Sequence, residues 1–324
     1  MCRRTERVPV PMVNGQTFGE CRGMLTYMKI YTLNQYLHDT FGQKLYKIAL
    51  DGGFTCPNRD GTIDTRGCIF CSGAGSGEFA GDCRMRITQQ IEKGKDRVAG
   101  KIKDGRYIAY FQAFTNTYAP VEKLRPLYME AINHRDIAVL SIATRPDCLP
   151  DEVLDLLCEC RRIKPVWVEL GLQTIHPATA AYIRRGYPLS VYDDAVSRLK
   201  AHGMEVITHV MLGLPGESRQ DMLDTVSYVA RSGADGIKLQ LLHVIRGTDL
   251  EKDYLEGKFE TLTFESYVEL VADCIALLPE NMVIHRMTGD GDKRTLVAPL
   301  WSADKKRVLN AIHRAIFQKD GIKD

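Results

Sequence analysis

The stretch 166-VWVELGLQTIHPATAAYIRRGY-187 opens on an apolar, β-branched run and turns polar. It then leads, at 190-SVYDDAVSRLKAH, into a segment of helical periodicity. A run that stays apolar on both alternating faces reads as a strand covered on both sides, and such strands belong to parallel sheets. The same unit recurs along the chain. Candidate strands are 46-YKIALD, 107-YIAYFQ, 137-IAVLSIAT, 206-VITHVML and 237-IKLQLLHV, with 282-MVIH as a seventh. Helical periodicity lies between them in 121-VEKLRPLYMEAI, 151-DEVLDLLCECRR and 219-RQDMLDTVSYVARS, each starting at or just after a Pro, Ser or Asp suited to a helix start. Six such units joined by right-handed crossovers build an α/β fold, either a doubly wound sheet or a full or partial barrel. In both, functional groups gather at the C-terminal ends of the strands. The chain is polar at those points: Gln112 and Thr115, Thr144 and Arg145, Glu169 and Gln173, His209, then Gln240 and His243.

Residues 1–27 are punctuated by Pro and Gly and lack the apolar segment of a signal peptide, so a loose N-terminal extension is expected there. Residues 28–262 form the expected core. Residues 263–324 form an expected C-terminal α/β extension, with a helix at 264-FESYVELVADCIALL, the 282-MVIH strand, the Gly-rich 288-TGDGDK and a basic helix, 303-ADKKRVLNAIHRAIFQK. A net charge of +2, from 43 basic and 41 acidic side chains, neither requires nor excludes a nucleic-acid partner. No apolar run is long enough to cross a bilayer, so no membrane partner is expected and the expected compartment is the cytoplasm. In that reducing compartment ten cysteines do not read as a disulfide framework. Cys148, Cys158, Cys160 and Cys274 lie in or beside apolar segments and read as small buried hydrophobes.

The loop after the first candidate strand is different: 56-CPNRDGTIDTRGCIFC-71 carries Cys68 and Cys71 as C-x-x-C, with Cys56 upstream across the turn-forming 57-PNRDG-61. Three readings are open on spacing. Cys83, separated from Cys71 by eleven residues, completes a four-cysteine structural zinc site. Cys68 and Cys71 alone make a redox pair, which leaves Cys56 without a role. Cys56, Cys68 and Cys71 together hold a [4Fe–4S] cluster by three thiolates, which leaves one iron open to a further ligand. Spacing alone does not separate zinc from iron–sulfur.

The surrounding residues carry a resemblance. Phe70 stands before the last cysteine, the cysteine loop follows the first strand of a βα repeat, and both 166-VWVELGLQTIHPATAAYIRRGY and 207-ITHVMLGLPGES have counterparts in radical S-adenosylmethionine (SAM) enzymes. Over residues 45–260 the chain resembles that superfamily, and most of all its YhcC-like bacterial group. The wider likeness extends to elongator-type, MiaB- and NifB-like enzymes and to oxygen-independent coproporphyrinogen dehydrogenases. It departs from the common C-x3-C-x2-C motif in its first gap, which is eleven residues long. The resemblance implies a partial (β/α)6 TIM-like barrel of the radical SAM type with a small C-terminal α/β extension. It also implies two cofactors, a [4Fe–4S] cluster and S-adenosylmethionine, and an electron donor such as flavodoxin or ferredoxin. The implied chemistry is reductive cleavage of S-adenosylmethionine to a 5′-deoxyadenosyl radical that abstracts hydrogen from a substrate.

Residue by residue, the resemblance makes Cys56, Cys68 and Cys71 the cluster ligands, Gln173 a partner of the cofactor ribose and Arg185 the partner of its carboxylate, a planar anion that a guanidinium fork suits. Glu169 is expected to bond a substrate or cofactor hydroxyl or to form an ion pair. His209 and Met211 are expected beside the adenosine, with the turn 212-LGLPG-216 approaching the adenine, and Thr144 or Arg145 facing cofactor or substrate. No residue is singled out as a catalytic acid or base. The substrate stays open between an RNA base, for which Lys305, Lys306, Arg307, Arg314 and Lys319 with Arg286, Lys293 and Arg294 supply cations, and a small molecule. A zinc-binding interaction protein is the alternative from another class. Trp301 reads as core.

Overall fold

The computed structural model describes residues 30–101, 105–289 and 291–319, so the expected extension at 1–27 lies outside the described residues. The strands are β1 (Tyr46–Leu50), β2 (Tyr107–Phe111), β3 (Ile137–Thr144), β4 (Val166–Gln173), β5 (Glu205–Leu212), β6 (Gly236–Leu241), β7 (Val244–Ile245), β8 (Val283–Arg286) and β9 (Leu296–Ala298). Seven of them form one sheet in the order β1-β2-β3-β4-β5-β6-β8, every pair parallel, while β7 and β9 pair antiparallel beside it. A strand order that follows the sequence has no reversal point, so the sheet curls in one direction into an incompletely closed barrel. The 282-MVIH stretch supplies the seventh strand, beside β6.

The helices are α1 (Leu33–Phe41), α2 (Ile87–Val98), α3 (Val121–Asn133), α4 (Asp151–Arg161), α5 (Pro177–Tyr182), α6 (Leu189–Ala201), α7 (Arg219–Arg231), α8 (Asp249–Leu255), α9 (Phe264–Ala276) and α10 (Lys305–Lys319). Their starts follow local chemistry. Ser218 accepts from the Asp221 amide at 3.2 Å while its own amide donates to the Asp221 carboxylate at 2.7 Å, a capping box on α7. In α10 Val308, Ile312 and Ile316 recur every fourth residue and are buried, so one face of this basic helix is core. One apolar cluster runs from Ile48 of β1 to Ile316 of α10 and includes Tyr267 and Val271 of α9.

Register fixes which side chains line the barrel. Tyr110 lies opposite Ser141, Ala143 opposite Glu169, Gly171 opposite His209, and His209 opposite Lys238. With a side-chain period of two, these residues share the inner face. The inner face is layered. At the N-terminal end, Ile108, Val139, Trp167 and Ile207 pack with Leu33, Tyr36, Leu37 and Phe41 of α1 into an apolar plug. Above it lies a charged layer, and above that a cavity. Among the described residues no helix is long and apolar enough to cross a membrane.

Candidate active site

The cavity opens at the C-terminal ends of the strands, encloses about 270 Å³ and is lined by residues from the loop after β1 to Thr295, just ahead of β9. Its floor is built around Glu169, which has no solvent exposure. One carboxylate oxygen accepts from Lys47 Nζ at 2.7 Å and Ser141 Oγ at 2.9 Å. The other accepts from His209 Nε2 at 2.8 Å and from Lys238 Nζ. An ionised carboxylate has about four acceptor positions, and four donors fill them. Burial alone would push the carboxyl up, but Lys238 and Lys47 outweigh it and hold Glu169 well below the usual carboxylate range. Glu169 therefore appears in the structure as the anion of a buried ion layer. Burial, with Lys238 adding to it, pushes the His209 imidazole down to about 4, so the ring is neutral at pH 7. Its Nε2 donates to Glu169, which leaves Nδ1 to accept from Gln240 Nε2 at 3.4 Å and fixes the tautomer.

The wall above this floor carries Gln173 and Arg185. Gln173 ends β4 with φ of 69°, in the left-handed region that few non-glycine residues adopt. Its buried side-chain oxygen has no hydrogen-bond partner. Arg185 is buried, with Nε donating to the Tyr187 carbonyl at 3.1 Å and Nη1 to the Thr174 carbonyl at 2.5 Å. The guanidinium also lies over the Tyr187 ring, 4.7 Å from its centre. Three anchors fix its plane at the cavity edge. Met211, the last inward residue of β5, packs with Ile69, Ile183, Leu214 and Leu242.

Cys56, Cys68 and Cys71 line the rim of the same cavity. Their loop turns on itself: the Cys71 amide donates to the Cys68 carbonyl at 3.0 Å, and Arg59 Nη2 donates to the carbonyls of Cys71 at 3.0 Å and Ser72 at 2.5 Å. Burial pushes the Cys68 thiol up to about 12 and raises Cys71 as well, against the pull of Arg59. Such thiols become thiolates when a metal takes the place of the proton. Cys83 is exposed and lines no part of the cavity, so the four-cysteine zinc reading lacks its fourth ligand.

Thr144 and Arg145 both line the cavity, and Arg145 is held by a bidentate pair with Asp147 at 2.9 and 2.7 Å. The Gly-rich loop after Cys71 packs beside the rim, where Ser76 accepts from Gln112 Nε2 at 2.8 Å and Gly75 from the Phe114 amide at 2.9 Å. The turn 212–216 does not line the cavity; the Gly213 amide meets Met222 Sδ at 3.0 Å and its α-carbon faces Leu262. Trp301 is half-buried against the core, donating to the Leu262 carbonyl at 3.1 Å and packing on Phe264 and Tyr267. Of the proposed RNA-facing cations, Arg286 lines the cavity and Arg294 pairs with Asp292 at 2.7 Å. Lys47, Tyr110, Ser141 and Lys238 do not stand out in the sequence as site residues. Their signal is the alternation itself: Lys238 stands two residues before Gln240 on the inner face of an apolar strand.

The family model described as the Radical SAM superfamily matches residues 64–229, more than half of the chain. The chain belongs to the radical SAM superfamily. A second model, the Radical_SAM C-terminal domain, matches residues 234–318. The chain is 47% identical over 291 residues to the protein YtqA of Bacillus subtilis, which covers 90% of each. It is 40% identical over 266 residues to YhcC of Escherichia coli, over 82% of this chain and 85% of that one. To the tRNA uridine(34) acetyltransferase of Dehalococcoides mccartyi it is 28% identical over 222 residues, 64% of this chain but only 48% of that protein. The fold is shared with the archaeal Elp3 of Methanocaldococcus infernus lacking its N-terminus, at a TM-score of 0.66 and 16% identity, over 86% of this chain and 64% of that one. The chain is thus a radical SAM enzyme of the YhcC/YtqA-like group, and the cofactors of that superfamily are a [4Fe–4S] cluster and S-adenosylmethionine.

The site fits that pair. Three thiols from one loop open on a cavity whose wall offers a fixed buried guanidinium for a carboxylate and an orphaned carbonyl oxygen for a hydroxyl.

Proposed function

We propose that Cys56, Cys68 and Cys71 hold the [4Fe–4S] cluster and that S-adenosylmethionine binds beside it, with Arg185 taking its carboxylate and Gln173 a ribose hydroxyl. When bound, the two supply one-electron cleavage of a carbon–sulfur bond and so a carbon radical that abstracts hydrogen. The protein's part is to place and to protect. Arg59 pins the cysteine loop, Arg185 and Gln173 orient the cofactor, and Met211 gives it an apolar wall. The filled Glu169 layer closes the floor with a fixed set of charges whose hydrogen-bonding positions are already taken. The compartment is the cytoplasm, and the electron comes from a flavodoxin- or ferredoxin-like donor.

The observation that carries this reading is the convergence of the three cysteines, Arg185 and the unbonded Gln173 oxygen on one cavity. Its test is anaerobic reconstitution with iron and sulfide, followed by S-adenosylmethionine and dithionite. 5′-Deoxyadenosine is expected from the wild type and from Cys83→Ala, and loss of both product and cluster iron from Cys56→Ala, Cys68→Ala and Cys71→Ala. Tightly bound zinc with no iron in the wild type overturns it.

The finer reading is an RNA substrate. Similarity to a tRNA uridine(34) acetyltransferase supports it, as do the outward cations of α10, although Arg307 already stacks on Phe264 at 4.5 Å. tRNA binding with a steep salt dependence is the expected result; binding that ignores salt, or none, favours a small molecule.

A further inference from the structure

The eleven-residue gap between Cys56 and Cys68 is where this chain departs from the compact motif, and it places Asn58 with no solvent exposure two residues after Cys56. Asn58 Nδ2 lies 2.6 Å from the Arg184 carbonyl oxygen and 3.5 Å from Cys68 Sγ. The amide orientation follows from chemistry, because the flipped rotamer would set Asn58 Oδ1 against the Arg184 oxygen, two acceptors face to face. One amide hydrogen therefore goes to the carbonyl and the other to the sulfur. The main chain of Asn58 is fixed as well, since its carbonyl accepts from the Gly67 amide at 2.7 Å, one residue before Cys68. Gly186, at φ of 80°, leaves room for the side chain, for a Cβ there would stand 3.1 Å from Asn58 Oδ1. That oxygen is buried without a partner. Leaving a buried acceptor so is a net cost to the folded state. An apolar residue would fill the space without that cost, so the function of Asn58 lies at its donor end.

We infer that Asn58 is a redox-positioning residue, whose amide donates an N–H···S hydrogen bond to the Cys68 thiolate and raises the reduction potential of the cluster. The inference rests on the ligand set proposed above. Reduction adds negative charge to the cluster and its thiolates, so a donor aimed at sulfur stabilises the reduced form more than the oxidised one. Asn58 also ties the cysteine loop to residues 184–186, where Arg185 stands, so the same amide couples the cluster ligand to the cofactor's anchor.

The test is an EPR-monitored redox titration of reconstituted protein, with iron and sulfide quantified alongside. Asn58→Leu keeps the volume and removes the donor; Asn58→Asp removes it and adds negative charge. Both are expected to hold a full complement of iron at a more negative midpoint potential, the aspartate variant lower than the leucine one. Full iron at the wild-type potential in both overturns the inference. Should the variants lose the cluster, pulsed EPR on reduced wild-type protein labelled with 15N-asparagine decides. A 15N coupling supports the bond, and its absence overturns it. A wild type that takes up no iron–sulfur cluster sinks the proposed ligand set itself, a failure distinct from that of Asn58.

Discussion

Glu169 and the groups around it behave as one unit. Removing the charge in Glu169→Gln leaves Lys47 and Lys238 facing each other with no anion between them, at side-chain exposures of 22% and 3%. Stripping one partner from a buried ion pair costs about 3–5 kcal/mol. A fall in stability of that size is expected on chemical denaturation at pH 7, and Lys238→Met in the same chain is expected to restore part of it. Equal losses in the single and double variants would show that the charges are not coupled. His209 adds a pH dependence. Its imidazole is held near 4, below the ordinary 6.5, so the unfolded chain takes up a proton between those values while the folded chain does not. Stability is therefore full above about pH 6.5 and declines as pH falls toward 4, by at most about 3 kcal/mol. Denaturation at pH 7 and pH 5 should show a larger loss for the wild type than for His209→Gln. Gln173 and His209 were legible in the sequence because each is a polar residue in or closing an apolar run. For Glu169 the sequence left a hydroxyl partner and an ion pair both open; the ion pair forms, but its partner Lys238 lies 69 residues away and only the register of two intervening strand pairs brings them together.

Strands were the most legible elements, since buried parallel strands are continuous apolar runs that helices on a protein surface do not imitate. Four short or irregular helices escaped, among them α1, a helix of nine residues ahead of the first strand. α5 has six residues and α8 seven, too few for a period to show. α2 carries Gly94 in its middle, which weakens any helical reading of 87-ITQQIEKGKDRV. The structure explains that glycine: a Cβ at position 94 would stand 2.3 Å from Ile48 Cγ2, on the strand that α2 covers. Propensity alone predicts that Gly94→Ala stabilises by about 1 kcal/mol. Close packing predicts the opposite sign, a loss of about 1–3 kcal/mol as α2 is pushed off β1. Thermal denaturation of this one variant separates the two effects.

For the whole molecule, strand content left a doubly wound sheet and a barrel open, and the family resemblance implied the barrel; the order of neighbours bears the barrel out. The C-terminal region is a separate case. Its periodicity is readable, but its contribution to the main core is a matter of tertiary contact: Tyr267, Val271, Val308 and Ile312 are fully buried in the cluster that includes Leu50 and Phe111. The full chain is expected to unfold in a single transition, and a chain ended after residue 262 is expected to lose near-ultraviolet dichroism and resistance to protease. A truncated chain with native dichroism would mean that the first six strands hold their own core.

The apolar plug under the charged layer has a kinetic consequence. With Trp167, Ile108, Val139 and Ile207 closing the barrel from below, the cavity is reached from the opposite end, where the cysteine rim stands. Whatever binds deepest must arrive first and depart last. Turnover in such a vessel follows a compulsory queue, and an excess of the second reactant is expected to trap the first rather than to compete with it.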